Sequence, residues 1–284
     1  SLASTLIDSQ VDLNPHQVDA ALLEKKNPLS QGVLLADEVG LGKTIEAGLV
    51  IAQTWAERKK RILIVTPANL RKQWYQELYD KFGLKAIIFE AKIYNQLKKE
   101  GSTKPFIQDD IIICSYQFAK SKANDIKNIA WDLVVIDEAH RLRNVYKKQN
   151  ITANMIKQSL EHVHNKVLLT ATPLQNSLLE LYGLVSILDE RVFGDLESFK
   201  SQFITGDKEV TLPQLRARLS TVCKRTLRQQ VQPFVSYTAR RAIVQDFTPS
   251  KEEQPLRYLV ADYLRRPNFQ ALPVGQRQLI SLVL

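Results

Sequence analysis

The stretch Ala36-Asp-Glu-Val-Gly-Leu-Gly-Lys-Thr44 constrains this chain more than any other. An apolar run, Val33–Ala36, precedes it, and a helical pattern follows, with Ile45, Leu49, Ala52 and Ala56 on one face. A strand, a glycine loop and a helix in that order form the context of a phosphate-binding loop. Glycines at 40 and 42 let the backbone turn tightly, so that its N–H groups point at oxygens. The helix N-terminus adds the positive end of its dipole. Lys43 then reaches the β- and γ-phosphates, and the Thr44 hydroxyl helps hold Mg²⁺. Asp37 stands where the strict pattern has Gly or Ala, so the loop is a variant. Taken alone, the glycine pair also fits an ordinary strand-to-helix turn.

A second motif bears on that choice. Leu133-Val-Val-Ile136 is followed by Asp137-Glu-Ala-His140. Four consecutive apolar residues suit a strand covered on both faces, as in a parallel sheet. Ligands of such sheets bind beyond the carboxyl ends of the strands, so these acids emerge where the glycine loop emerges. Asp137 suits Mg²⁺, through water, because hard cations take oxygen ligands. Glu138 suits a base that polarises the attacking water.

Short apolar runs alternate with helical patterns along the first two thirds of the 284 residues. The expected strands are Val33–Ala36, Ile62–Val65, Ala86–Phe89, Ile111–Cys114, Leu133–Ile136 and Val167–Leu169. The expected helices are Thr44–Lys59, Leu70–Lys81, Lys147–Leu160 and Leu178–Leu188. Such alternation predicts an α/β fold, a mostly parallel central sheet with helices on both faces. Residues 98–105 read as a surface loop. From about Glu190 the sequence turns helical and charged, and strand-like Ala242-Ile-Val244 comes later. The chain opens at Ser1 and stops inside an apolar helical run, as an excised piece would.

Lys and Arg exceed Asp and Glu, giving a net charge of +9 that suits a polyanionic partner. Cys114 and Cys223 lack disulfide or metal spacing, and Cys114 sits in an apolar run as a core thiol. No stretch approaches the ~18 apolar residues of a membrane span, and no secretory signal opens the chain. These features are those expected of a cytoplasmic protein. His162 and His164 lack a third ligand for a metal and read as surface residues. Trp74 and Tyr116 fit core packing better than base stacking.

The motifs also come in a telling order. Asn14-Pro-His-Gln17 precedes the glycine loop; Ile64-Val-Thr-Pro-Ala-Asn-Leu70 leads to Gln73-Trp74 and Glu77. Ile113-Cys-Ser-Tyr-Gln117 follows, then Asp137-Glu-Ala-His140 with Arg141-Leu-Arg-Asn144, and last Leu169-Thr-Ala-Thr-Pro-Leu-Gln-Asn-Ser177. The series, over Asn14 to Ser236, resembles the first RecA-like lobe of Swi/Snf-type ATPases of helicase superfamily 2. With Asp37 and Ile45-Glu-Ala-Gly48 it looks closest to the bacterial RNA-polymerase-associated branch.

The resemblance implies roles by position. Gln17 would read adenine, and Asp37, Glu38, Gly40, Leu41, Gly42, Lys43 and Thr44 would hold the nucleotide. Thr44 and Asp137 would bind Mg²⁺, with Lys43 and Glu138 catalytic. Thr170 and Thr172 would couple nucleotide state to nucleic acid. Thr66, Leu70, Lys72 and Ser115 would touch the DNA backbone, contacts that carry no sequence information. It implies ATP and Mg²⁺ as cofactors, and duplex DNA, a second RecA-like lobe and RNA polymerase or another DNA-bound protein as partners. The implied layout is a RecA-like lobe over 1–189, an all-helical protrusion closing that lobe over 190–235, and the start of a second lobe over 236–284. Lys224-Arg-Thr226 resembles the stretch that closes the first lobe. No Gln-x-x-Gly-Arg-x-x-Arg pattern occurs, so the arginines that the family brings from the second lobe are missing. The function implied is an ATP-dependent translocase on double-stranded DNA, with this piece inactive alone. An RNA helicase and a non-catalytic scaffold for nucleic acid or polymerase are the alternatives.

Overall fold

The computed structural model describes residues 32–36, 43–170 and 177–224, with Leu259 and Asp262. The chain divides into two compact units, residues 1–236 and 237–284, and nearly all the described residues belong to the first.

Seven strands form one sheet in the order β3-β4-β2-β5-β6-β1-β7, with every described pairing parallel. They are β1 (Gly32–Leu35), β2 (Ile62–Thr66), β3 (Ala86–Ile88), β4 (Ile111–Ser115), β5 (Leu133–Ile136), β6 (Lys166–Leu169) and β7 (Cys223–Lys224). The helices are α1 (Lys43–Ala56), α2 (Arg71–Phe82), α3 (Ala91–Lys99), α4 (Tyr116–Ser121), α5 (Ala123–Lys127), α6 (Ile151–Ser159), α7 (Leu178–Leu188), α8 (Leu196–Phe199) and α9 (Lys208–Ser220).

The strands are apolar throughout because both faces of the sheet are covered. Val33, Leu35, Ile62, Ile64, Leu133 and Val135 join one core with α1 and α2. Their neighbours Leu34, Leu63, Val65, Val134 and Ile136 join the other, with α4, α6 and α7. Side chains alternate between faces with period two, so a strand buried on both sides shows no hydrophobic alternation. Helix α1 is buried from Glu46 to Thr54 rather than along a single stripe. A Cβ at Gly48 would collide with the Phe82 ring, so glycine lets α1 approach α2 closely.

All six expected strands form. Strand β7 was not expected: it is two residues long and pairs beside β1, Leu34 with Cys223 and Leu35 with Lys224. Val222 accepts a bond from the Leu34 N–H at 2.7 Å. So the charged region after 190 forms helices α8 and α9, with a π-helical turn between them, and then returns to the sheet. The helix expected over Lys147–Leu160 starts only at Ile151, because the Asn150 side chain accepts from the Ala153 N–H and caps it there. The first helix ends at Ala56; Arg58, at φ 64°, cannot continue it. Helix α3 escaped notice because only Ile93, Tyr94 and Leu97 mark its inner face. No described helix is long and apolar enough to cross a membrane.

Lys166, at the start of β6, is 3% exposed. Burial lowers its pKa from 10.5 to about 8, with Lys157 adding to the effect and Asp189 and Glu190 opposing it. A base whose folded pKa lies below its unfolded one destabilises the fold while charged, and the penalty lifts as pH rises from about 8 to 10.5. The Lys166→Met variant is therefore expected to be more stable than the parent near pH 7, by up to ~3 kcal/mol. That advantage should shrink over the same pH range in urea titrations. A difference independent of pH would show that the lysine is not charged in the fold.

Candidate nucleotide site at the carboxyl edge of the sheet

Parallel pairing brings the ends of the strands to one edge in register. Leu35 pairs with Leu169, Leu168 with Ile136, Val65 with Ile136, and Thr66 with Ser115. Two bonds carry the ladder one residue further: Thr170 N–H to the Leu35 carbonyl at 3.0 Å and Asp137 N–H to the Val65 carbonyl at 2.8 Å. Strands β1 and β5 flank β6, so their ends are ~10 Å apart across two strand spacings. Lys43 and Thr44 are the first residues of α1, the helix that follows β1, and both are half-buried. Thr170 ends β6 between β1 and β5, and is buried. The edge thus brings Asp137, Glu138 and Thr170 to the end of β1, the strand that leads into Lys43 and Thr44. Gln17, Asp37, Glu38, Gly40, Leu41, Gly42 and Thr172 lie outside the described residues.

Asp137 is held from three elements. Its Oδ2 accepts from Thr66 Oγ1 at 3.0 Å and from the Trp74 indole Nε1 at 2.9 Å. Its Oδ1 accepts from the Glu138 N–H at 2.8 Å. Its backbone carbonyl accepts from the Tyr116 hydroxyl at 2.5 Å. Burial, then the charges of Asp137 and Glu138, push the Tyr116 phenol well above its ordinary range against the pull of Arg141, so the hydroxyl stays protonated and donating. A carboxylate offers about four lone-pair positions. Three donors leave one on Oδ1, which fits an acid that meets Mg²⁺ through a bound water.

Glu138 has φ 51°, a left-handed conformation rare outside glycine. It turns the chain into a 3₁₀ segment, Ala139–Leu142, and sets the two neighbouring carboxylates on different partners. Glu138 Oε2 lies 3.0 Å from His140 Nδ1, an ion pair whenever the imidazole is protonated. Beyond the turn, Arg143 Nε is 3.3 Å from Glu180 Oε1 on α7. A Cβ at Gly183 would clash with the Arg143 carbonyl, so α7 sits directly on this loop.

The expected nucleic-acid residues fare differently. Thr66 is fully buried with its hydroxyl committed to Asp137, so its side chain supports the acid and has no surface to offer a phosphate. Ser115 is half-buried and caps α4, its Oγ accepting from the Phe118 N–H at 3.2 Å. Leu70 is half-buried, at the end of a 3₁₀ turn, and Lys72 is exposed in the first turn of α2. Trp74 and Tyr116 are buried, as expected of core residues, yet both end in a bond to Asp137. Their polar atoms were the available signal: a buried indole N–H or phenol needs a partner. His162 and His164 are exposed, and among the described residues no cluster of metal-binding side chains exists. Cys114 is buried, and burial lifts its pKa to about 12.

Comparison with known proteins gives a consistent answer. The family model described as the SNF2-related domain matches residues 16–257. The RNA polymerase-associated protein RapA of Yersinia enterocolitica is 38% identical over 194 residues, 67% of this chain and 20% of that protein. The RapA of Serratia proteamaculans is 37% identical over 197 residues, 68% of this chain and 20% of that protein. The chain thus spans about a fifth of the length of these relatives. Among solved structures, the Sulfolobus solfataricus SWI2/SNF2 ATPase core in complex with dsDNA matches with a TM-score of 0.64 at 26% identity. That match covers 78% of this chain and 45% of the other.

Trp74→Phe keeps a ring in the core and removes only the indole donor to Asp137. Removal of such an outer partner typically weakens a metal site by ~10–100-fold. The variant is expected to lose Mg²⁺-dependent nucleotide affinity to that extent, with metal-free affinity unchanged. Titration of a fluorescent nucleotide with Mg²⁺ and with EDTA checks this; equal loss in both would mean the indole does not act through the metal.

Proposed function

The chain belongs to the SNF2-related family, and from that premise we propose that it is the first lobe of a Mg²⁺- and ATP-dependent motor that moves along duplex DNA. The observation that supports this reading is the convergence of Asp137 and Thr170 on the edge where β1, the strand that leads into Lys43 and Thr44 of α1, also ends. In it, Lys43 would neutralise the β- and γ-phosphate oxygens, and the Thr44 hydroxyl and Asp137 would hold Mg²⁺, the latter through water. Bound there, Mg²⁺ would offset charge on the phosphates. Glu138 takes the proton of the attacking water. Gln17 reads the adenine, and Asp37, Glu38, Gly40, Leu41 and Gly42 complete the loop.

Thr170 and Thr172 are proposed to pass nucleotide state onward. The contact of Arg143 with Glu180 supports this, since it fastens the loop after the acids to α7, the helix that follows the threonines. Lys72, Leu70 and Ser115 stand at the strand β2 and β4 ends of the same edge and suit contacts to a DNA backbone, with Lys72 the exposed cation. The relatives' designation as RNA polymerase-associated and the structural neighbour's complex with dsDNA support DNA, and polymerase or another DNA-bound protein, as partners. Residues 1–189 would be the nucleotide lobe, 190–235 the protrusion and its return, and 236–284 the start of a second lobe.

Three outcomes are expected. The 284-residue chain alone is expected to bind ATP weakly and turn it over little, because an arginine brought from a second lobe is worth on the order of 10³ in rate; robust hydrolysis by the pure chain would contradict this. In a protein carrying both lobes, Glu138→Gln should keep ATP binding and lower turnover by ~10² or more. Duplex DNA should stimulate the parent more than RNA does. Stimulation by RNA alone would point to an RNA helicase, and unchanged turnover in the variant would dismiss Glu138 as base.

A further inference from the structure

The opposite, amino edge of the sheet carries a polar cavity of about 570 Å³, within the range of small-ligand sites. It lies between α6, the end of α7 and the start of β6, and its charged lining is almost fully paired. Lys157 Nζ contacts Glu190 at 2.7 Å, Lys127 contacts Glu161 at 3.4 Å, and Arg191 contacts Asp189 at 2.8 Å. Arg191 takes both Asp189 oxygens, through Nε and its backbone N–H on Oδ1 and a terminal nitrogen on Oδ2. Burial raises the Asp189 carboxyl, but the bonds and charge of Arg191, with Lys166, outweigh this and lower it, so it remains an anion already committed.

Lys166 is the cation left over. It lines the cavity, is 3% exposed, and its ammonium makes no hydrogen bond or ion pair among the described residues. The ammonium opens on the cavity, and burial of the side chain holds Lys166 down to about 8 against the opposing charges of Asp189 and Glu190. Three acids are matched by three cations, so the cavity is short of one negative charge. Nothing in the nucleotide chemistry uses this lysine, since β6 runs ~10 Å from Lys166 to its carboxyl end.

We propose that this cavity binds a small organic anion, a carboxylate or phosphate compound, seated against the Lys166 ammonium. Lys157 is the second cation, because its present partner Glu190 is largely exposed and free to swing aside. The anion supplies the missing charge and offsets the cost of keeping the protonated Lys166 in the fold.

The test uses the whole 284-residue chain with ¹⁵N-labelled lysine side chains, titrated with inorganic phosphate and, separately, with citrate. Sodium chloride holds the ionic strength constant. Saturable binding is expected, with the Lys166 midpoint moving up from about 8; the tighter probe tells phosphate from carboxylate. One charge-assisted bond is worth about tenfold in affinity. Lys166→Met should lose at least that much and Lys157→Gln several-fold, with nucleotide binding unchanged in both. Lys157→Gln alters a rim position and gives a check independent of any change in stability at Lys166. The proposal falls if phosphate and citrate act no differently from chloride. It falls equally if the variants bind as the parent does.

Discussion

Parallel pairing of β1, β6 and β5 is the constraint on which the rest of this structure depends. In a parallel sheet every strand delivers its carboxyl end to the same edge, so residues far apart in sequence meet without any contact between their own segments. Asp137 and Thr170 each extend the ladder by one backbone bond past the strand proper. Their positions are therefore fixed by the sheet itself, and only the side-chain direction remains to be set. Burial on both faces is what makes such a sheet rigid, and the alternation of Leu34 and Leu35 between two cores shows it at the level of single residues.

Side-chain direction at Asp137 is set by buried donors rather than by the motif that contains it. Thr66, Trp74 and the Glu138 amide each hold a carboxylate oxygen, and Tyr116 holds the carbonyl. The acid is thereby held steady, as the proposed water-mediated contact to Mg²⁺ would require. The left-handed turn at Glu138, costing ~1–3 kcal/mol, then separates two adjacent carboxylates so that one faces its buried donors and the other faces His140. Strain of this kind persists only where neighbours over-determine it, and the ladder bond at Asp137 and the 3₁₀ segment after Glu138 do so.

Much of this was legible from the sequence because glycine loops, buried strands and acids after strands are local signals. The six longer strands could be read for that reason, as could α7. What escaped reading depends on partners remote in sequence. Strand β7 has no pattern of its own; two residues pair because β1 offers an edge. Thr66 reads as a polar residue ending a strand, and only the approach of β5, 71 residues later, turns its hydroxyl toward Asp137. Trp74 and Tyr116 were readable as buried, but the destination of a buried N–H or O–H is a tertiary fact. Helix starts fell short for a simpler reason: a single side chain, Asn150, ends the turn and begins α6.

Strand β6 joins two environments of opposite character, and this bears on why Lys166 stands where it does. At its carboxyl end Thr170 is buried between the loop strand and the acid strand. At its amino end the Lys166 carbonyl lies so close to Gly32 that any side chain there would collide with it. The backbone at that end is thus pinned to β1, and the lysine side chain, unable to drift toward solvent with it, stays among Asp189, Lys157 and Glu190. A methionine or leucine would fill the same space without the electrostatic cost. A charged group kept where the fold gains nothing from it is best explained by what it holds, and an anion is the one class of ligand that converts the cost into binding.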